Sequence, residues 1–365
     1  FMSLAWHLKN TGQRVFAVNA GKSGEDINMG DLASQGINGS GVTILVSDDG
    51  VQDTHEDLSS NFNYSAQNSK DYAINNSLRQ TGPPKQLSYD YHGTAVAGLI
   101  AAVSINGKGA RGVAPLAKIS SYNFLSAGVN SDANDHEQFS SAFDIVNMSW
   151  GWPQLFLTPP DTLNEAAMSS AVTNGRGGKG TVLVKSSGNS FIAERDEAGT
   201  QLCVGSSNFD ADNTTPYTIM VGALAANGEA ATYSSGGSNL WISSFGGMDG
   251  RNNPAIFTTD LSGCTYGLAN SKSSLAFDRG GNGNSNCNYT VSFNGTSSAA
   301  PILSGVVALM LQANPQLTWR DVKYILAKTA IPVDYSTTDA YGHPLAGTSH
   351  VSFPTQTVLE YPWGE

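Results

Sequence analysis

The stretch ILVSDDGVQDTHEDL, residues 44–58, sets the problem. With Val42 included, four of the five residues before Ser47 are apolar, and the run ends in two adjacent carboxylates, Asp48 and Asp49, followed by Gly50. An apolar run of this kind reads as a buried strand, and a bare charge at its end is costly unless a partner meets it. Two acids side by side at the carboxyl end of a strand therefore call for partners elsewhere in the chain.

Outward from that stretch, similar runs recur at 143–149 (FDIVNMS), 181–187 (TVLVKSS) and 217–224 (YTIMVGAL). Near-continuous apolar character is expected of strands covered on both faces. Helical spacing appears at 92–104, 161–174, 297–314 and 318–330. The last opens with Thr318 and Asp321 at the separation of a capping box. This alternation predicts an α/β fold: a doubly wound, mostly parallel sheet flanked by helices in three layers. Residues 226–256 and the Gly-rich 279–286 read as surface loops.

The bulk numbers narrow the class. The chain has 365 residues, 40% hydrophobic and 13% charged, which suits a buried core and argues against disorder. A net charge of −11 disfavours nucleic acid and anionic membrane as partners and favours cations. No apolar run reads as a bilayer span. The start, FMSLAWHL, reads as a mature or trimmed product without a secretory leader. Of the three cysteines, Cys264 and Cys287 bracket a Gly/Asn/Ser-rich segment. Either they form a disulfide, with Cys203 a free thiol, or all three are reduced and buried. A disulfide there would stabilise by about 3 kcal/mol and imply an oxidising compartment.

Three chemistry-bearing residues stand at joints between strand and helix: Asp48 ends a strand, His92 opens a helix, and Ser297 opens another. In open α/β sheets ligands bind outside the carboxyl ends of strands. An acid, an imidazole and a hydroxyl in those places suit a nucleophile, its base and the group that orients the base. Taken singly, each reads equally as a helix cap or an ordinary surface residue. Their flanks are more telling: Gly93 and Gly295 allow close backbone approach, and Pro301 falls in the first turns of its helix, where a missing N–H costs least.

HGTAVAG around His92, GTSSAAP around Ser297, and the order Asp, His, Ser resemble the subtilisin-like serine peptidases. SSGNS adds a further match, with Asn189 where that family places an oxyanion-hole amide. SDDGVQDTHEDL, SWG, TYSSGGS, IFTTDLSGC and LTWRDVKYIL resemble the kexin/furin branch. The resemblance implies a secreted, monomeric serine endopeptidase with a catalytic domain over 1–335 and an irregular segment over 336–365 that stops before any P domain. It implies cleavage after basic or paired basic residues, with protein or peptide substrates and a propeptide or a dedicated chaperone or inhibitor as partner. Asp48, His92, Ser297 and Asn189 would be catalytic. Asp49, Asp90, Ser149, Trp150, Gly151, Ser187, Gly188 and Asp210 would bind substrate, Asp49 by meeting a basic side chain. Structural calcium would be held by Asp57 and Asn106 side chains and by carbonyls of Val103, Lys108 and Ala110. Gln154 stands where the branch has an aspartate, which favours broader specificity. An inactive peptide-binding member of the fold and a transpeptidase are rival readings.

Overall fold

The computed structural model of the chain describes residues 2–64, 69–72, 90–104, 106–125, 135–152, 156–191, 194–195, 201–203, 205–281, 283–331 and 333. Gln154 and the segment 336–365 lie outside them. The strands are β1 (Thr43–Asp48), β2 (Lys70–Asp71), β3 (Lys118–Asn123), β4 (Ile145–Met148), β5 (Val182–Ser186), β6 (Glu194–Arg195), β7 (Gln201–Cys203), β8 (Thr218–Leu224), β9 (Leu240–Phe245), β10 (Ile256–Thr259) and β11 (Tyr289–Phe293). The helices are α1 (His92–Ala101), α2 (Thr162–Gly178), α3 (Thr296–Ala313) and α4 (Trp319–Thr329). Seven strands form one sheet in the order β2-β3-β1-β4-β5-β8-β9, with every pairing parallel. The expected α/β class and parallel sheet are therefore present.

Burial explains the strand pattern. All seven residues of β8 and all five of β5 are buried, as strands sandwiched between helices must be. α1 packs against α3, and α3 lies along β4, β5, β8 and β9. That places α3 in the core, and it accounts for an error of the sequence reading. By length and composition α3 could cross a bilayer, with 18 residues of mean hydropathy 1.4, but 78% of it is buried inside the protein. The capping box of α4 forms as expected between Thr318 and Asp321.

Besides the two-residue β2 (KD), two strands of the sheet have no counterpart in the apolar pattern. β3 reads KISSYN, and β9 reads LWISSF inside the 226–256 segment expected to be loop. Both carry serines that would suggest solvent. In β3 the serines are buried, and the Ser121 amide donates to Ser69 Oγ. Parallel pairing with β1 and β8 supplies the remaining order. Gly-rich 279–286 is likewise anchored: Cys264 and Cys287 form a disulfide, and buried Asn284 donates to the carbonyls of Phe277 and Tyr289.

Candidate active site

β1 delivers Asp48 to the carboxyl edge of the sheet, fully buried. Its Oδ1 accepts from His92 Nδ1 at 2.8 Å and from the Asp49 amide at 2.9 Å. His92 is the first residue of α1, and its ring packs edge-on against Phe293 with centroids 5.3 Å apart. The fit depends on Gly93. A Cβ there would lie 2.3 Å from the Gly50 carbonyl, so any side chain would push α1 off the strand end.

Asp49, expected to meet a basic side chain of the substrate, makes two main-chain contacts in the structure. Its Oδ2 accepts from the His92 amide at 3.0 Å and its Oδ1 from the Gly93 amide at 2.7 Å. The carboxylate thus caps α1, where free amides and the helix dipole favour negative charge, and it is only 5% exposed. Asp90, just before the helix, is also buried.

Burial lowers the basicity of His92, but Asp48 and then Asp49 outweigh it and raise the imidazole to about 9. Burial pushes the Asp49 carboxyl well up, and Asp48 adds to that, while His92 and the two amides pull it down. The contribution of the Asp48–imidazolium pair to stability is therefore complete below the ordinary histidine value and is lost as pH rises through about 9.

α3 begins at Thr296, directly after Gly295, whose φ of +103° is open to glycine but not readily to other residues. Thr296 donates twice to Asn189 Oδ1, from N and from Oγ1, each at 2.9 Å. Two donors on one oxygen fix the amide orientation, so Asn189 presents its NH2 group outward, beside the start of α3. Ser297 Oγ donates to the Ser149 carbonyl at 3.0 Å, not to His92. Turning about χ1 would free it for the imidazole.

Pro301 explains a further contact. It has no N–H to give to the carbonyl four residues back, that of Ser297. Ser149 Oγ donates to that carbonyl instead, at 3.1 Å. Asn147 Nδ2 in turn donates to Ser149 Oγ at 2.9 Å, and Ser304 Oγ donates to Asn147 Oδ1 at 2.8 Å. The missing hydrogen bond is thus made good by a buried polar chain that ties α3 to the end of β4 behind the serine.

The Asp–His pair, the serine and the amide stand at the carboxyl ends of β1, β4 and β5. The Peptidase_S8 model, subtilase family, matches residues 39–353. The chain belongs to the subtilase family. It is 32% identical to the Aeromonas extracellular serine protease of Aeromonas sobria, over 90% of this chain and 54% of that protein. It is 33% identical to kexin of Saccharomyces cerevisiae, over 90% of this chain and 34% of that protein. The subtilase thus spans about a third to a half of these relatives' length. A crystal structure of the Aeromonas sobria serine protease with the chaperone ORF2 superposes with a TM-score of 0.81 at 31% identity, covering 93% of this chain and 60% of that one.

The remaining expected residues of the subtilase fall into two groups. Ser149, Trp150 and Gly151 leave β4 beside Ser297, and Ser187 and Gly188 leave β5. Trp150 Nε1 donates to the Ser47 carbonyl, and the Gly188 amide donates to Thr296 Oγ1. Asp210 lies beneath this pair of segments but is not free: its Oδ2 accepts from Lys185 Nζ at 3.2 Å. The expected calcium residues also converge. Asn106 Nδ2 meets Asp57 Oδ1 at 2.6 Å, the Ala110 amide meets Asp57 Oδ2 at 2.8 Å, and the Val103 amide meets the Asp57 carbonyl. Among the described residues no group of three or more His, Cys, Asp or Glu side chains forms a metal cluster. The donor chemistry still fits calcium, which accepts one carboxylate with amide and carbonyl oxygens. An amide turn would bring Asn106 Oδ1 to the same point, at the cost of the bond it accepts from the Lys108 amide at 3.1 Å.

Sequence reading missed Lys185, Asn147, Ser304 and Thr296. One signal was legible: Lys185 interrupts a run read as covered on both faces, and a fully buried lysine needs a partner.

Proposed function

We propose that this chain is a secreted serine endopeptidase. Ser297 attacks the scissile carbonyl, and His92 takes the hydroxyl proton and later gives it to the leaving amine. Asp48 holds Nδ1–H so that Nε2 can accept, and it offsets the imidazolium charge as it forms. Asn189 Nδ2 and the Ser297 amide donate to the oxyanion. The observation that carries the reading is the buried Asp48–His92 bond at 2.8 Å opposite a serine at a helix start beside an outward-facing amide. Mass spectrometry of the products from a diverse peptide library, with Ser297→Ala as control, tests it. A library left intact by the wild-type chain rejects the reading.

The relation to kexin supports cleavage after basic residues. The Lys185–Asp210 pair supports the broader reading, because it removes a free carboxylate from beneath the cleft. Secretion is supported by the Cys264–Cys287 disulfide and by the extracellular Aeromonas relative. A dedicated chaperone partner is supported by the chaperone seen with the Aeromonas protease.

Asn189→Ala should lower kcat by about 100- to 1000-fold with KM little changed, the scale established for the equivalent amide in a subtilisin. An unchanged kcat would mean that the amide serves only to hold Thr296.

Neutral His92 is the working base, so kcat/KM should rise with pH from neutral towards about 9. Asp49 is one of the charges that raise His92. Asp49→Asn should therefore move the acid limb of the pH–rate profile to lower pH. A limb that stays in place, or moves up, contradicts this coupling.

Asp57, Asn106 and the carbonyls of Val103, Lys108 and Ala110 would hold a structural calcium ion, which ties the loop after α1 to the body of the fold. Calcium bound only to the folded state adds about 2.7 kcal/mol at a hundredfold excess over Kd. Chelation should lower Tm, and Asp57→Ala should remove the response to calcium while leaving the cleavage profile alone. A Tm indifferent to chelator after exhaustive dialysis eliminates the site.

A further inference from the structure

Lys185 is a lysine with no exposed surface, in the middle of the central sheet, at the strand end nearest the nucleophile. Its ammonium donates to Asp210 Oδ2 at 3.2 Å and to Asn213 Oδ1 at 2.6 Å, and it sits 5.0 Å above the Trp150 ring. Asp210 is 1% exposed. Its Oδ2 also accepts from the Trp152 amide at 3.4 Å, and its Oδ1 from the Asp212 amide at 3.1 Å. Every oxygen of Asp210 is therefore engaged from inside the protein.

The pair lies against the substrate segments. A Cβ on Gly151 would stand 3.2 Å from Asp210 Oδ2 and 3.3 Å from Lys185 Nζ. Gly151 thus stands directly against the pair, two residues after Ser149, whose carbonyl receives the Ser297 hydroxyl. Ser186 Oγ at the end of β5 bonds the Trp150 carbonyl, so the two segments close over the pair from both sides. The other acid of the cluster, Asp212, accepts from Asn164 Nδ2 at 3.2 Å. Large apolar side chains stand exposed next to Gly151 and just beyond, Trp152 at 55% and Phe156 at 79%.

We propose that Lys185 sets substrate specificity: its ammonium cancels the charge of Asp210 beneath Gly151, so the pocket beside Ser297 takes an uncharged, apolar side chain on the acyl side of the scissile bond. This rests on the endopeptidase reading of the same cleft. A buried carboxylate held by an internal cation has no lone charge with which to select arginine, whereas the same carboxylate without its lysine would require one. The pair is thus a built-in substitute for a substrate cation.

Peptides that differ only in leucine or arginine at that position test this in two ways: by cleavage, and by fluorescence-anisotropy binding to chains carrying Ser297→Ala, which needs no turnover. With Lys185 and Asp210 intact, leucine should be handled as well as arginine or better in both assays. Lys185→Met should shift the arginine-to-leucine ratio towards arginine by at least tenfold. Lys185→Met combined with Asp210→Asn removes both charges of the pair and should restore the ratio of the intact pair. Should Lys185→Met alone fail to fold, Asp210→Asn with Lys185 kept decides the matter: the uncancelled ammonium should shift the ratio towards leucine by at least tenfold, and an unchanged ratio overturns the proposal. An arginine preference of tenfold or more with the pair intact, abolished in the double variant, overturns the proposal. So does a folded Lys185→Met chain with an unchanged ratio, or failure of the Ser297→Ala chain to bind either peptide. Loss of cleavage with selective binding retained would instead count against the endopeptidase reading alone.

Discussion

Ser297→Ala should abolish peptidase activity, with a loss of about 10^6-fold in turnover, while the protein remains folded. That scale is the one known for the nucleophile of subtilisin itself. The structure supplies the second half of the expectation. The hydroxyl makes one hydrogen bond, to the Ser149 carbonyl at 3.0 Å, and Ser297 is already 8% exposed. Its removal costs about 1 kcal/mol of stability by the usual net value of such a bond. The Ser149–Ser297 main-chain link, made by Ser149 Oγ on the Ser297 carbonyl, does not involve the deleted atom. Turnover and Tm are measured on the same preparation. Activity within tenfold of the parent would falsify the assignment of Ser297 as the nucleophile, and a collapse of the fold would contradict the modest structural role given to its hydroxyl.

Asp48→Asn should cost up to about 10^4-fold in kcat, about 5 kcal/mol of transition-state stabilisation; the full figure is the scale of the carboxylate-to-amide change in serine peptidase triads where the wrong histidine tautomer causes the loss. Both donors that reach Asp48, His92 Nδ1 and the Asp49 amide, fall on the same oxygen, Oδ1. Oδ2 is buried without a hydrogen-bond partner. An asparagine can therefore keep its carbonyl where Oδ1 was and place its NH2 at the partnerless position. The histidine tautomer survives, and what disappears is the charge that opposes burial of the imidazolium. His92 should then titrate well below about 9, because burial, which lowers it, no longer meets the larger of the two opposing carboxylates. NMR titration of the His92 ring, alongside kcat, separates this account from a tautomer flip. A large fall in kcat with His92 still titrating near its parent value would show that misorientation, not lost charge, is the cause.

Much of this was legible in the residues. Asp48, His92 and Ser297 each stand where a strand or helix boundary can be read from apolar period, glycine and small-residue flanks. The parallel α/β class followed from runs such as β8, whose seven positions are all buried. The capping box of α4 followed from residues three apart. These are local rules, and they act within a few positions of the chain. β3 and β9 escaped because distant main-chain pairing holds them: β9 is aligned by β8, β3 by β1, and the Ser121 amide donates to Ser69 Oγ.

The partners of the charges lay beyond sequence. Asp49 is tied to the start of α1, because two amides 43 and 44 positions away point at it. Pro301 costs its helix nothing at Ser297, because the missing donor comes from Ser149, 148 positions away. Asp210 is spoken for by Lys185, which a strand places beneath Gly151. Which residues carry charge and hydroxyl is written locally. Which of them remain free to act is decided by hydrogen bonds and ion pairs that exist only once distant strands and helices close on one another, since a buried charge must find a partner and takes whichever the packed fold brings within about 3 Å.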